Sequence, residues 1–141
     1  WMLCVEGRDT EALAYIRDTA ALRPDVELLW IIASVIHARQ GNVAAARESM
    51  ARAEALYPHD PFTEASAAWL DAATGDAPKA VAYLARKSKS AGAYRPPVLL
   101  AMIRHALDDK VGTANLLRIA EADRDPWRML AWCDPRLAPR R

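Results

Sequence analysis

Three glycines recur at a fixed interval: Gly7, Gly41 and Gly75 stand 34 residues apart. An alanine follows each glycine five residues later, at Ala12, Ala46 and Ala80. A constant period of this length is typical of stacked repeats, in which each unit buries its apolar face against the next. Arrays of this kind generally hold another molecule on their extended surface. The period therefore predicts a binding protein built from repeats.

Glycine and proline divide each repeat into two helices. Pro58 lies 17 residues after Gly41, where its ring would end a helix. Between these two residues, apolar side chains recur at steps of three and four, which predicts an amphipathic helix. Residues 27–39 predict a second helix, and Gly41-Asn42 suits the left-handed bend between two antiparallel helices. The predicted fold class is therefore all-α.

The predicted array occupies residues 1–126, and a capping segment follows at 127–141. Its units are a partial repeat at 1–24 and full repeats at 27–58, 61–91 and 95–123. Since the first unit contains only the end of a first helix, we expect further units before residue 1.

The last repeat lacks the turn glycine, and an aspartate takes its place. Asp109 would preserve the 34-residue period but would bury Arg118. Asp108 shortens the period to 33 and instead buries Leu117 and Ala120. We favour Asp108, because burying an unpaired charge costs far more than one lost position in the pattern.

Charge and composition exclude several function classes. The 19 basic and 18 acidic residues leave a net charge of +1, which gives no global attraction to nucleic acid or anionic lipid. One local basic run is expected to be a solvated helix end; it contains Arg86, Lys87, Lys89 and Arg95. No apolar stretch approaches the roughly 18 residues of a membrane span. Cys4 and Cys133 lack any ligand spacing and predict unbridged thiols in the reducing cytoplasm.

The sequence carries no recognisable catalytic, cofactor or metal motif. His37 is expected to be a half-buried structural residue, and His59 to be solvated in a turn beside Pro58. The carboxylates are dispersed, so no set of residues supplies a nucleophile, a base and an oxyanion stabiliser together. We therefore expect no enzymatic activity and no cofactor.

The repeat resembles the tetratricopeptide repeat, a helical hairpin of this length. Around Gly41 the matching positions are Trp30, Ala33, Ser34, His37, Gly41, Asn42, Ala46, Met50, Ala53 and Pro58. The repeat around Gly75 departs from the pattern at Glu64 and Lys87. The resemblance implies an α-α solenoid, a right-handed superhelix of antiparallel helical hairpins, with first helices on the concave side.

A second resemblance lies near the C-terminus. Arg124-Asp125-Pro126-Trp127 and Asp134-Pro135-Arg136-Leu137 are similar to the closing segment of some bacterial signalling proteins. In those proteins, such repeats follow a DNA-binding, cyclase or kinase domain. The resemblance implies the regulatory part of a bacterial signalling or transcription-regulatory protein. The cap over the last helical pair would contain Trp127, Leu130, Ala131 and Leu137.

The implied superhelix has a concave groove lined by residues one helical turn apart. These residues are Ile31, Val35, Arg39, Ala65, Trp69, Ala73, Met102 and His105. Most are apolar, so the expected ligand is a protein or peptide segment with an apolar or amphipathic face.

Three alternatives stay open for this module. The chain can fill its own groove, which would make Ile31 and Trp69 core residues. The face around Trp1 and Val5 can pair with a second copy, which would make the chain a homo-oligomerisation domain. The segment can also be a non-catalytic appendage of a larger signalling enzyme.

Overall fold

The computed structural model describes residues 1–89 and 96–137, and all regular structure in these residues is helical. The helices are α1 (Met2–Val5), α2 (Asp9–Leu22), α3 (Glu27–Arg39), α4 (Val43–Leu56), α5 (Pro61–Ala73), α6 (Ala77–Lys89), α7 (Pro97–Ala106) and α8 (Lys110–Ala122). A 3₁₀ turn (Pro126–Met129) leads directly into α9 (Leu130–Cys133). We call residues 126–133 the cap helix. The predicted all-α class is confirmed, and the predicted helix at 27–39 coincides with α3.

The chain divides within α5 into two compact units, Trp1–Leu70 and Asp71–Arg141. In the first unit, α3 packs against α4 and α2, and α1 packs against α2. In the second unit, α7 packs against α8, and the 3₁₀ turn contacts both of these helices. The ends of the predicted repeats at residues 91 and 95, Arg95 and the predicted cap residues 138–141 lie outside the described residues.

Helices α3 and α4 form the core of the first unit in different ways. All six residues from Ile31 to Ile36 are buried, because α3 is apolar on every side and such a helix is stable only when surrounded. Helix α4 buries one face, which includes Ala46, Met50 and Ala53. The two fully buried alanines let the helices approach closely, as ridge-and-groove packing requires.

The inter-helix turns share one geometry. Gly7, Gly41 and Gly75 have φ of 75°, 75° and 94°, in the left-handed region. In each turn the amide that follows the glycine donates back to the carbonyl five residues earlier, as Asn42 N does to His37 O at 2.9 Å. This bond closes the end of the preceding helix with a Schellman motif. The predicted left-handed bend at Gly41 is confirmed.

Asp108 takes the glycine position in the last helical pair. Its φ is 61°, and Asp109 N donates to Arg104 O at 2.9 Å, as in the glycine turns. Arg118 is exposed and Ala120 is buried, in agreement with the register that we favoured, whereas Leu117 is only half-buried. The same geometry also occurs at Arg124, with φ 51°, where Asp125 N donates to Ala120 O at 2.8 Å. The sequence pattern did not predict this further turn.

Gly41→Ala should destabilise the chain by about 1–2 kcal/mol, because an L-residue with a side chain is strained in the left-handed region. A β-carbon at this position would meet no atom within 4 Å, so the cost comes from the backbone alone. The reverse change, Asp108→Gly, should stabilise by up to about 1 kcal/mol. Urea denaturation measures both changes. A Gly41→Ala midpoint equal to that of the wild type would contradict the left-handed turn.

Two buried serines offer a matched test of hydrogen bonding. Ser34 and Ser66 are both fully buried. Ser66 Oγ donates to Phe62 O at 2.8 Å, whereas Ser34 Oγ has no hydrogen-bond partner. Ser34→Ala should therefore stabilise by about 1 kcal/mol, and Ser66→Ala should destabilise by a similar amount. Thermal unfolding checks the prediction, which fails if both midpoints move in the same direction.

Candidate interaction surfaces

The predicted groove residues are mostly buried. Those with little or no accessible surface are Ile31, Val35, Ala65, Trp69 and Met102. Ile31 is 0% exposed and Trp69 is 6% exposed, so neither side chain can be reached by a partner in this conformation. This placement differs from an accessible apolar groove. For Ile31 and Val35 the reason is that α3 is apolar on every side and is covered by its neighbours. Ala73 and His105 are half-buried.

Arg39, the charged member of the predicted groove, is bonded within the first unit. Its Nη1 donates to the carbonyl oxygen of Cys4 at 2.9 Å and lies 3.3 Å from the Cys4 Sγ. Its Nη2 lies 3.5 Å from Asp9 Oδ2. These contacts tie the last turn of α3 to α1 and α2. The guanidinium therefore has a structural role in this unit.

The other candidates for chemistry remain separate from one another. His37 is half-buried and His59 is exposed, both as expected. Within 1–89 and 96–137, no group of three or more His, Cys, Asp or Glu side chains could hold a metal ion. No helix in the same ranges is long and apolar enough to cross a membrane.

The described residues of the basic run, Arg86, Lys87 and Lys89, lie at the end of α6. Arg86 and Lys87 each lie 5.3 Å from the centre of the Tyr83 ring, within cation–π distance. Positive charge in the last turn also interacts favourably with the helix dipole. The cation–π contacts and the helix dipole therefore explain the positive charge at the end of α6 by local structure.

Two carboxyl groups, those of Glu27 and Asp60, lie at the starts of α3 and α5. Asp60 accepts a hydrogen bond from Thr63 N at 2.8 Å and so caps α5. Burial, together with the nearby negative charge of Asp60, raises the pKa of Glu27 above its ordinary value. The folded state therefore disfavours the charged form of Glu27.

Glu27→Gln should raise the thermal midpoint at pH 7 and leave it nearly unchanged at pH 3. A carboxyl whose pKa is raised by folding costs stability when it is ionised, and this cost disappears as pH falls through the raised pKa. Exposed Glu121 on α8 supplies the control, because Glu121→Gln should have little effect at either pH. An equal gain at both pH values would show that the effect does not come from ionisation.

The cap helix carries the most exposed aromatic side chain of the described residues. Trp132 is 88% exposed and Met129 is 73% exposed, whereas Trp127 is half-buried. Sequence analysis placed Trp127 in the cap but missed Trp132. The spacing of Trp127 and Trp132 could have indicated this exposure. Residues five apart on a helix point about 140° away from each other, so one packed face cannot cover both tryptophans.

Buried charged residues hold both ends of the cap helix. Asp125 precedes it and accepts a hydrogen bond from Trp127 N at 2.8 Å. After it, Arg136 donates to both carboxylate oxygens of Asp134, at 2.9 and 2.8 Å. The side chains of this pair are only 1% and 0% exposed. The C-terminal segment therefore contains a buried ion pair.

Comparisons with known proteins identify no relative. No family model, no curated protein and no solved structure matches the chain.

Proposed function

We propose that this chain is a non-catalytic protein-interaction module, a tetratricopeptide-like right-handed superhelix that holds a segment of a partner protein. The observation that carries the proposal is the recurrence of one turn geometry at Gly7, Gly41, Gly75 and Asp108. Repetition of one helical hairpin is the construction principle of arrays whose extended surfaces bind other molecules.

The proposed biological setting is the regulatory part of a cytoplasmic bacterial signalling or transcription-regulatory protein. It rests on the resemblance of the segment from Arg124 to Leu137. In this setting the module neither binds nucleic acid nor inserts into a membrane, and it requires no cofactor. Its partner is a protein with an apolar or amphipathic segment. A place beside the catalytic domain of a larger signalling enzyme is an alternative setting for the same non-catalytic role.

A homo-oligomerisation domain is the second candidate. Met2 and Val5, on the short helix α1, are 65% and 40% exposed, which leaves an apolar surface that a second copy would cover. Sedimentation at increasing protein concentration distinguishes the two candidates. A monomer at all concentrations would exclude self-pairing, whereas a dimer lost in Val5→Glu would favour it.

Partner capture tests the leading proposal. The chain is immobilised and exposed to an extract of the organism that encodes it, and bound proteins are then crosslinked to it. Mass spectrometry identifies the retained proteins. Ile31→Asp, which places a charge in the core, supplies a control with a disrupted fold. We expect at least one protein to be retained by the wild type alone. Equal retention by the control, or no retention at all, would contradict the proposal.

A further inference from the structure

The most exposed part of the cap carries both apolar and positively charged side chains. Met129 and Trp132 are three residues apart in the helical run and therefore lie on one side of it. Arg128 lies one turn before Trp132, and exposed Arg124 precedes the cap helix. We call these four residues the cap surface.

The cap surface is held in a fixed conformation. The 3₁₀ turn contacts α7 and α8, and the Asp125 carboxylate accepts from the Trp127 amide. Asp134 N donates to Leu130 O at 2.8 Å, and the buried pair with Arg136 follows directly. Trp132 is thus presented to solvent by an ordered backbone. Tryptophan is among the residue types most enriched in binding hot spots, and an ordered backbone lowers the entropy lost when it binds.

The cap surface contains two positively charged side chains. Among residues 124–137, Asp125, Asp134 and Arg136 are buried, which leaves exposed Arg124 and half-buried Arg128 as the charged groups that contact solvent. Neither of these two arginines forms an ion pair with a carboxylate in the part of the chain that the structure describes. Exposed Glu121, in the last turn of α8, and exposed Asp123, directly after that helix, form an acidic border beside them. Two guanidinium groups without an ion pair among the described residues favour carboxylates on a molecule that covers the tryptophan.

We propose that the cap surface docks an acidic amphipathic helix of a partner protein. Trp132 and Met129 contact its apolar side chains, and Arg124 and Arg128 pair with its Glu or Asp side chains. The proposal rests on the proposed function, because it names a surface and a class of partner for the interaction module. It moves the contact from the buried residues of the predicted groove to the cap.

Fluorescence anisotropy with two labelled synthetic peptides tests the proposal on the full chain. One peptide is an amphipathic helix with Leu and Phe on one face and Glu on the other. The second has Lys in place of every Glu. We expect the acidic peptide to bind, the basic peptide to bind at least about 10-fold more weakly, and affinity to fall as salt screens the charges.

Matched variants locate the binding site. Trp132→Ser should weaken binding of the acidic peptide by about 10-fold or more, and Arg128→Ser should weaken it and reduce its salt dependence. Val111→Ser and Arg118→Ser remove an exposed valine and an exposed arginine from α8 and should leave binding unchanged. Circular dichroism and thermal unfolding verify that all four variants keep the wild-type fold.

Several outcomes would overturn the proposal. They are no binding of the acidic peptide, equal binding of both peptides, or binding that survives Trp132→Ser. Trp132-dependent binding to phosphatidylserine vesicles without peptide binding would assign the surface to a membrane. A dimer that Trp132→Ser dissolves would assign it to a second copy. If Trp132→Ser still retains the partner in the capture experiment, the proposed function stands and the cap surface is excluded as its binding site. If the wild type captures nothing, the proposed function fails. The peptide experiment then still decides whether the cap surface binds an acidic helix.

Discussion

Asp134→Asn should lower the free energy of unfolding by about 3–5 kcal/mol, because it leaves a buried guanidinium without its counter-charge. Arg136 donates to both oxygens of Asp134 through Nε and Nη2, and its backbone amide donates to Oδ1 at 2.9 Å. Asparagine keeps the size of the side chain but loses its charge and one acceptor oxygen. The negative charge of the carboxylate then no longer offsets the desolvation of the buried guanidinium.

An exposed pair of equal length supplies the control. Arg52 Nη2 lies 2.8 Å from Glu48 Oε1, and these side chains are 53% and 68% exposed. Glu48→Gln should cost less than about 1 kcal/mol, since water already solvates both charges. Because the two ion pairs have the same N···O distance, a larger loss of stability in Asp134→Asn than in Glu48→Gln would come from burial.

Chemical denaturation measures both costs, with circular dichroism following total helix. Replacing the pair together, by Asp134→Leu with Arg136→Met, should recover much of the lost stability, because no charge remains buried. A loss in Asp134→Asn no larger than that in Glu48→Gln would show that the cap ion pair is solvated in solution.

Local residue types determine the parts of the fold that the sequence predicted well. Gly41-Asn42 predicted a turn because few residues adopt a left-handed backbone. The structure adds that Asn42 caps α4 by accepting from Ala45 N at 3.3 Å. The register at Asp108 followed from the cost of burying Arg118. Each of these inferences depends on a few neighbouring residues, which a sequence displays directly.

The candidate surfaces depend on distant parts of the chain, which the sequence does not display directly. Helical periodicity indicates which residues share a face, but it does not indicate what covers that face. The contacts of Arg39 with Cys4 join residues 35 positions apart, so nothing near Arg39 in the sequence distinguishes a structural arginine from a groove arginine. Trp132 is exposed because the same short helix turns Trp127 inward. Only the three-dimensional arrangement decides which tryptophan faces water.

Ile31→Ala should destabilise the first unit by about 2–5 kcal/mol, because Ile31 is fully buried and its removal leaves a cavity as well as lost apolar contact. The matched control is Leu22→Ala, which truncates an aliphatic side chain of similar size that is 83% exposed, and should change stability by less than about 0.5 kcal/mol. Urea denaturation of both variants measures the difference.

This comparison also decides between the groove and the core interpretations of α3. A residue that lines an open groove already contacts water, so its truncation would cost little stability and would instead weaken partner binding. A residue of the core costs stability whether or not a partner is present. If Ile31→Ala costs no more than Leu22→Ala, the face of α3 that contains Ile31 is accessible in solution and the predicted groove is again a candidate binding site. If the loss is large, any contact with a partner would involve exposed side chains such as Trp132.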